Sequence, residues 1–286
     1  MTFSSSRWAL AGALAGAAVG VLAFAPARWV AWALSHATEG RIILAQAQGT
    51  AWSGQASLTL TGGPGSRDAL TLPGRLSWDL GLPWSGHSAW PWTSQSGSTE
   101  AGGLGARLTL RHTECMPRPV VLRLQAGIGG WTVSLPPRGP QETAALMQWP
   151  AAWLTALGTP WNTVQPSGML RLSSPGVSLQ WAQGRFRLDG AWVLEAQDMA
   201  SRLSTLERLG SYRAVVTGGG SGAEVAMLQL STTEGALQLS GTGQWIGSRF
   251  RLQGEARAAP GQEAALQNLL NLIGRRDGAR SLLSIG

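Results

Sequence analysis

Short runs in which leucine or valine alternates with a polar residue recur through most of the chain after residue 56. This period of two puts apolar side chains on one face of a strand and polar ones on the other. Glycine or proline separates most of these runs, as in the turn predicted at Ser174-Pro175-Gly176, which is typical of connections between short strands. The pattern predicts a mainly β protein, built as a curled antiparallel sheet with one buried face. The predicted strands are 57–61, 107–111, 121–125, 168–172, 177–181, 227–231 and 236–240.

Three short amphipathic segments interrupt this β pattern, and we expect them to cap the sheet. Residues 150–158 begin with proline and end with glycine, the asymmetry typical of a helix. Asp198 is interpreted as the N-cap of a second helix that stops at Gly210. Residues 263–273 place leucine and isoleucine at helical spacing and predict a third helix.

The chain begins with an apolar segment that carries no charge from residue 8 to residue 27. At ~1.5 Å per residue, this run spans roughly the ~30 Å hydrocarbon core of a bilayer. Pro26 would follow the best signal-peptidase site, which favours an uncleaved anchor over a cleaved signal peptide. We therefore predict a protein of the cell inner membrane with a single pass. Its predicted parts are a cytoplasmic N-terminus at 1–7, a transmembrane signal anchor at 8–32 and a periplasmic β-rich domain at 33–286.

Charge and motif content argue against nucleic-acid binding and against catalysis. All 22 positively charged side chains are arginines, and they are spread too evenly to follow a phosphate backbone. Cys115 is the single cysteine, which excludes an intramolecular disulfide and a cysteine-based zinc site. The sequence has no nucleophile elbow, no P-loop and no histidine pair at metal-ligand spacing. We therefore expect no enzyme activity, no catalytic or metal-binding residue and no cofactor.

A long loop predicted at 83–103 combines serine and glycine with three tryptophans. Because the loop has little other apolar sequence, it cannot easily bury three indoles. We interpret it as a partner contact or a lid over the sheet, and the alternative is a small satellite cluster. The candidate partner contacts are Trp84, Trp90 and Trp92. By contrast Trp52, Trp78 and Trp245 lie beside strand patterns or tight glycine turns, and we predict that they anchor the core.

Several short motifs occur in an order that resembles the type II secretion system protein N family (general secretion pathway protein N). Residues 49–56 (GTAWSGQA) are similar to that family's G-T-x-W-S-G-x-A element, and residues 76–80 (LSWDL) are similar to its L-x-W-x-L strand. The resemblance covers most of the chain, but the tryptophan-rich loop at 83–103 departs from it. The further similar segments are 166–172 (PSGMLRL), 209–212 (LGSY), 230–241 (LSTTEGALQLSG), Gln244-Trp245 and a leucine-rich terminal helix ending at Gly274.

This resemblance implies an inner-membrane component of the machinery that exports folded proteins across the outer membrane. The implied role is structural, without catalytic residues. The implied partners are other type II secretion components, on the inner-membrane platform or on the secretin side, together with the inner membrane. A more distant likeness to AsmA-type β-rich proteins leaves one alternative, a periplasmic module that handles lipid or another hydrophobic ligand. A sheet face packed onto helices would favour the first reading, and an open leucine-lined groove the second.

Overall fold

The computed structural model describes residues 5–81, 104–127, 129–137, 145–218, 226–246 and 249–286. The helices in these ranges are α1 (Ser5–Ala23), α2 (Ala27–Ala37), a 3-10 helix (Ala151–Leu157), α3 (Trp161–Val164) and α4 (Glu263–Ile273). The strands are β1 (Ile42–Gly49), β2 (Ser53–Thr61), β3 (Ala69–Thr71), β4 (Leu76–Gly81), β5 (Leu104–His112), β6 (Val120–Gly127), β7 (Gly130–Leu135), β8 (Met147–Pro150), β9 (Pro166–Ala182), β10 (Arg185–Ser201), β11 (Gly210–Thr217), β12 (Met227–Gly235), β13 (Leu237–Ile246), β14 (Arg249–Ala258), β15 (Arg275–Asp277) and β16 (Arg280–Ile285).

The described strands form one sheet of 16 strands that follows the chain almost in order. Its path is β1-β2-β4-β5-β6-β7-β9-β10-β11-β12-β13-β14-β16-β15, with β3 beside β2 and β8 beside β9. The pairs along this path are antiparallel, which confirms the predicted mainly β antiparallel fold. Because consecutive strands reverse direction, alternate connections lie at the same end of the sheet.

Two ends of the sheet can therefore be distinguished. At the hairpin end, strands β1, β4, β6, β9, β11 and β13 finish and β2, β5, β7, β10, β12 and β14 begin. The opposite end, which we call the helix end, carries the connections that contain the 3-10 helix, α3 and α4. This division decides where each candidate site residue lies.

One face of the sheet is apolar and forms three clusters along its path. The alternation predicted from sequence places these side chains together, since leucine pairs with leucine across β1 and β2 and again across β9 and β10. α2 covers the cluster near β1, and α4 covers the cluster near β14. The buried members are Ala27, Leu44, Ala56 and Trp78 in the first cluster; Val120, Leu135, Leu146, Val177 and Leu188 in the middle; and Leu209, Tyr212, Leu237, Ala256, Leu266, Leu269 and Leu270 in the last.

Two of the three predicted helices are confirmed. The segment at 150–158 forms the 3-10 helix, and the segment at 263–273 forms α4, with Leu266 and Leu270 buried against the sheet. The helix predicted from Asp198 to Gly210 is wrong, because β10 continues to Ser201 and the chain then turns. Asp198 lies at a register shift of β10 with a φ of 50°, and Arg208 donates a hydrogen bond to its carboxylate.

The turn predicted at Ser174-Pro175-Gly176 is also wrong, since β9 runs through it as one strand of 17 residues. The register with β10 shifts at this point, which forms a bulge that accommodates a proline without an N–H. The Ser174 hydroxyl donates a hydrogen bond to the carbonyl of Ala191 (2.6 Å) and accepts one from the amide of Gly176 (3.1 Å). The Ser174 side chain thus replaces backbone hydrogen bonds between β9 and β10 that the bulge interrupts.

The N-terminal segment consists of two helices rather than one. α1 ends at Ala23 and α2 begins at Ala27, because Pro26 has an extended backbone and proline disfavours a helical residue before it. Residues 27–32, which the sequence prediction places in the anchor, therefore belong to α2, which packs on β1 through Ala27, Val30 and Leu34. Within the described part of the chain, no helix is both long and apolar enough to cross a membrane.

Candidate interaction surface

Three aromatic side chains lie next to one another at the hairpin end of adjacent strands. Trp131 of β7 pairs with Trp181 of β9, which pairs with Phe186 of β10. We call this set the aromatic row. Its members are 46%, 41% and 50% exposed, respectively. Gln183 and Gly184 connect β9 to β10 with positive φ angles (51° and 76°), as in the two-residue turns that fit the twist of a hairpin.

A second aromatic pair lies further along the same end of the sheet. Trp245 of β13 faces Phe250 of β14, and their ring centroids are 4.4 Å apart. Both side chains are half-buried rather than enclosed, so the prediction that Trp245 anchors the core is only partly met. The hairpin end therefore exposes aromatic surface at two separate positions.

The segment GTAWSGQA forms the junction between α1 and the sheet at the hairpin end. The Trp52 indole N–H donates a hydrogen bond to the carbonyl of Leu22 (2.9 Å), and the amide of Ala51 donates one to the carbonyl of Ala25 (2.7 Å). Trp52 is half-buried, so it holds α1 in place rather than filling the core. Trp78 is the buried tryptophan at this junction, and its indole N–H donates to the carbonyl of Ala51 (3.2 Å).

Glycine is required in this segment for a steric reason. A Cβ added to Gly54 would lie 2.5 Å from Cζ2 of Trp78 and 2.8 Å from the carbonyl oxygen of Gln48. Gly49 has a φ of 89°, which a residue with a side chain rarely adopts. The two glycines therefore allow β1, β2 and the Trp78 ring to approach closely.

The last turns of α1 present apolar side chains that nothing in the described structure covers. Val19, Val21, Leu22 and Phe24 are between 54% and 80% exposed. Exposed apolar residues that stand next to one another mark a surface that contacts a partner or a membrane. This surface is continuous with the junction at the hairpin end, since the carbonyl of Leu22 accepts the hydrogen bond from Trp52.

Arginines form ion pairs at both ends of the sheet, and both ends also expose arginines. At the helix end, Arg208 contacts Asp198 (2.6 Å) and Glu234 (2.9 Å). Farther along that end Arg280 contacts Asp277, and the carboxyl of Glu255 has a lowered pKa because Arg257 donates a hydrogen bond to it and adds its charge. At the hairpin end Arg187 contacts Asp189 (3.4 Å), while Arg249 and Arg251 are exposed and form no ion pair with a described carboxylate. Arg275 and Arg276, near the helix end, are exposed in the same way.

A cleft of about 780 Å³ lies at the helix end, between β3, the 3-10 helix and the start of β9. Its polar groups already bond to one another: the Asn162 amide donates to Asp68 (3.0 Å), and Arg202 donates to the amide oxygen of Gln165 (3.0 Å). In the described ranges, no group of histidine, cysteine, aspartate and glutamate side chains is arranged to hold a metal ion. The polar groups of the cleft are therefore already engaged in hydrogen bonds with one another.

His112 and Cys115 are buried in the turn between β5 and β6, where they have a structural role. Nδ1 of His112 accepts hydrogen bonds from the amides of Glu114 and Cys115, both at 3.2 Å. Burial lowers the pKa of His112, and it raises the pKa of the Cys115 thiol to about 11. The imidazole is therefore neutral and the thiol protonated near neutral pH, which leaves neither group suited to nucleophilic chemistry.

Comparison with known proteins decides the family. The model of a family described as "Type II secretion system (T2SS), protein N" matches residues 40–282 of the 286 in the chain. The chain belongs to the type II secretion system protein N family. Comparison with curated proteins and with solved structures finds no match in either set. The AsmA-type alternative gains no support from these comparisons, and the resemblance inferred from the short motifs is confirmed.

The predicted contact residues of this protein N family member, Trp84, Trp90 and Trp92, lie outside the described residues. The flanking strands do show where that segment is attached. Gly81 at the end of β4 pairs with Arg107 of β5, so the chain leaves and rejoins the sheet at the hairpin end. The sequence prediction missed the aromatic row, because an aromatic residue in an alternating strand usually fills the core. The signal that could have found it is the position of Trp131, Trp181 and Phe186 within a few residues of hairpin turns.

Proposed function

We propose that this protein is an inner-membrane-anchored component of the type II protein secretion machinery, with a structural or interaction role in exporting folded proteins across the outer membrane. The family match over residues 40–282 carries the proposal, because it includes the parts of the sheet covered by α2 and by α4. Contact with other secretion components follows from that role. The role is non-enzymatic, which the self-paired polar groups of the cleft and the buried His112 and Cys115 support.

The anchoring part of the proposal rests on the uncharged run at residues 8–27 and on the exposed apolar side chains at the end of α1. Apolar side chains such as Leu22 and Phe24 are unfavourable in water and favourable in a hydrocarbon core. With the N-terminus in the cytoplasm, the sheet and α2, which packs on it, occupy the periplasm. A single cysteine and a low content of charged residues are compatible with that compartment.

Topology can be tested by fusing alkaline phosphatase after Gly286, since this enzyme is active only on the periplasmic side. We expect an active fusion whose protein stays in the membrane fraction after extraction with alkaline carbonate. An inactive fusion, or a mature protein that begins at Pro26 or Arg28, would contradict the proposed topology.

The secretion role can be tested by deleting the gene and measuring export of the folded substrates of the same machinery. We expect wild-type protein to restore export, and a variant with Trp84, Trp90 and Trp92 all replaced by serine to restore it less well at normal abundance. Trp161→Ser is the matched control, because Trp161 is 40% exposed at the helix end. Export that does not change on deletion would refute the proposed role, and equal export by the triple variant would refute the contact.

A further inference from the structure

We propose that the hairpin end of the sheet lies against a bilayer surface, with Trp131, Trp181 and Phe186 in the interfacial layer. The inference rests on the proposed anchoring by α1 and adds to it an orientation for the whole sheet. Two independent observations carry it: the attachment of α1 and the chemistry of the aromatic row.

The first observation is that α1 leaves the sheet at the hairpin end. Trp52 and Ala51, in the turn between β1 and β2, donate hydrogen bonds to the carbonyls of Leu22 and Ala25. An additional β-bridge joins Pro26 to Thr50. These bonds hold the end of α1 against the first turn of the sheet. A bilayer that takes up α1 is therefore brought to the hairpin end and not to the helix end.

The second observation is the composition and exposure of the aromatic row. Tryptophan is enriched at the boundary between hydrocarbon and water, because its ring is apolar while its N–H requires a hydrogen-bond partner. The row begins on β7, which is five strand steps from β1 along the path β1-β2-β4-β5-β6-β7. At ~4.8 Å per step, the row lies roughly 24 Å along the sheet from the α1 junction. Two such separated contacts would fix the tilt of the sheet, which one helix cannot do.

Exposed arginines at the hairpin end are compatible with this orientation. Arg249 and Arg251 are exposed there without a described carboxylate partner, and exposed arginines also occur near the helix end, at Arg275 and Arg276. Arginines in this state attract anionic headgroups. A protein partner could also use aromatic and arginine side chains, but it would not explain why the exposed apolar residues of α1 adjoin the same end.

The experiment places an environment-sensitive fluorophore at single cysteines in the full chain. Phe186→Cys labels the aromatic row, Trp131→Cys provides a second position in case one variant does not fold, and Leu272→Cys is the matched control. Leu272 is 52% exposed on α4, at the helix end. The native Cys115 is buried and does not compete for the label. Each purified variant is reconstituted into phosphatidylethanolamine–phosphatidylglycerol vesicles with and without lipids that carry a quencher near the headgroup, and flotation is measured in parallel.

We expect emission at positions 186 and 131 to shift to shorter wavelength and to be quenched by the modified lipid, with neither change at position 272. A chain that floats with the vesicles while both row labels remain in an aqueous environment overturns this inference alone and assigns the row to a protein partner. Equal quenching at 186 and 272 also overturns it, because the sheet would then have no defined orientation. A chain that does not float overturns the proposed anchoring, and this inference with it.

Discussion

Replacing Trp78 by alanine tests the structural account of the junction between α1 and the sheet. The Trp78 side chain is 6% exposed and contributes to the cluster under α2. A buried indole removes about 150–250 Å² from water, which at ~25 cal/mol per Å² amounts to roughly 4–6 kcal/mol. Loss of the hydrogen bond to the carbonyl of Ala51 adds about 1 kcal/mol. Because the site relaxes in part, we expect Trp78→Ala to lower the free energy of unfolding by about 3–5 kcal/mol.

The matched control is Trp52→Ala, since Trp52 lies in the same junction but is only half-buried. Loss of its hydrogen bond to the carbonyl of Leu22 and of its smaller buried area should together lower the free energy of unfolding by about 2 kcal/mol. Gly54→Ala provides a coupling test. Its new Cβ would clash with the Trp78 ring at 2.5 Å and with backbone oxygens at 2.8 and 2.9 Å. Removing the ring relieves only the first clash, so Gly54→Ala should cost less in the Trp78→Ala background but still destabilise.

The measurement is urea denaturation of detergent-solubilised protein, followed by far-ultraviolet circular dichroism and accompanied by steady-state abundance in cells. Destabilisation of a few kcal/mol also lowers abundance. Equal stability of Trp78→Ala and wild type, or a larger loss for Trp52→Ala, would refute the assignment of Trp78 as the buried anchor. Additive effects of Gly54→Ala and Trp78→Ala would refute the contact between them.

Three further predictions concern the cluster under α4 and the buried titratable groups. Leu270→Ala should lower the free energy of unfolding by about 2–5 kcal/mol, because Leu270 is buried. Leu272→Ala, at an exposed position of the same helix, should lower it by less than about 0.5 kcal/mol, and the denaturation midpoints of the two variants check this. Burial raises the pKa of Tyr212, the single tyrosine, so the stability of the folded chain should fall as the pH rises above about 10. Tyrosinate absorbance near 295 nm should then appear only together with unfolding, and its appearance at high pH in a folded chain would contradict this. The Cys115 thiol, with a pKa of about 11, should react with a thiol reagent at pH 8 only after denaturation.

The strands could be predicted from sequence because each needs only local information. The alternation of apolar and polar residues in Val121–Gln125 or Leu237–Ser240 predicts which side chains face the core. The antiparallel register then places leucine opposite leucine. The bulge in β9 could not be predicted in this way. Ser174-Pro175-Gly176 has the composition of a turn, and it remains in the strand only because the Ser174 hydroxyl bonds to Ala191 on the neighbouring strand. Because Ala191 lies 17 residues further along the chain, the local sequence does not reveal this bond.

The incorrect helix between Asp198 and Gly210 has a related cause. Leu203 and Leu206 have helical spacing, but they pack against the cluster under α4 from a turn instead. The spacing therefore predicted correctly that these leucines pack against the core, but it predicted a helix where the backbone forms a turn. Asp198 is not an N-cap, because its carboxylate forms an ion pair with Arg208 that closes the same turn. A polar residue followed by spaced leucines fits both structures, and only the packing partner distinguishes them.

The location of the candidate surface depends on topology, which no single segment of the sequence contains. In an antiparallel sheet that follows the chain, every second turn lies at one end. Trp131, Trp181 and Phe186 are up to 55 residues apart in sequence, yet they form a row because their hairpins turn back at the same end. The GTAWSGQA junction lies at that end for the same reason, since it closes the hairpin of β1 and β2. A shift of one residue in the register of any of these strands would turn its aromatic side chain to the other face of the sheet. The tight turns at Gln183-Gly184 and at Gly129 therefore determine the surface as directly as the aromatic residues do.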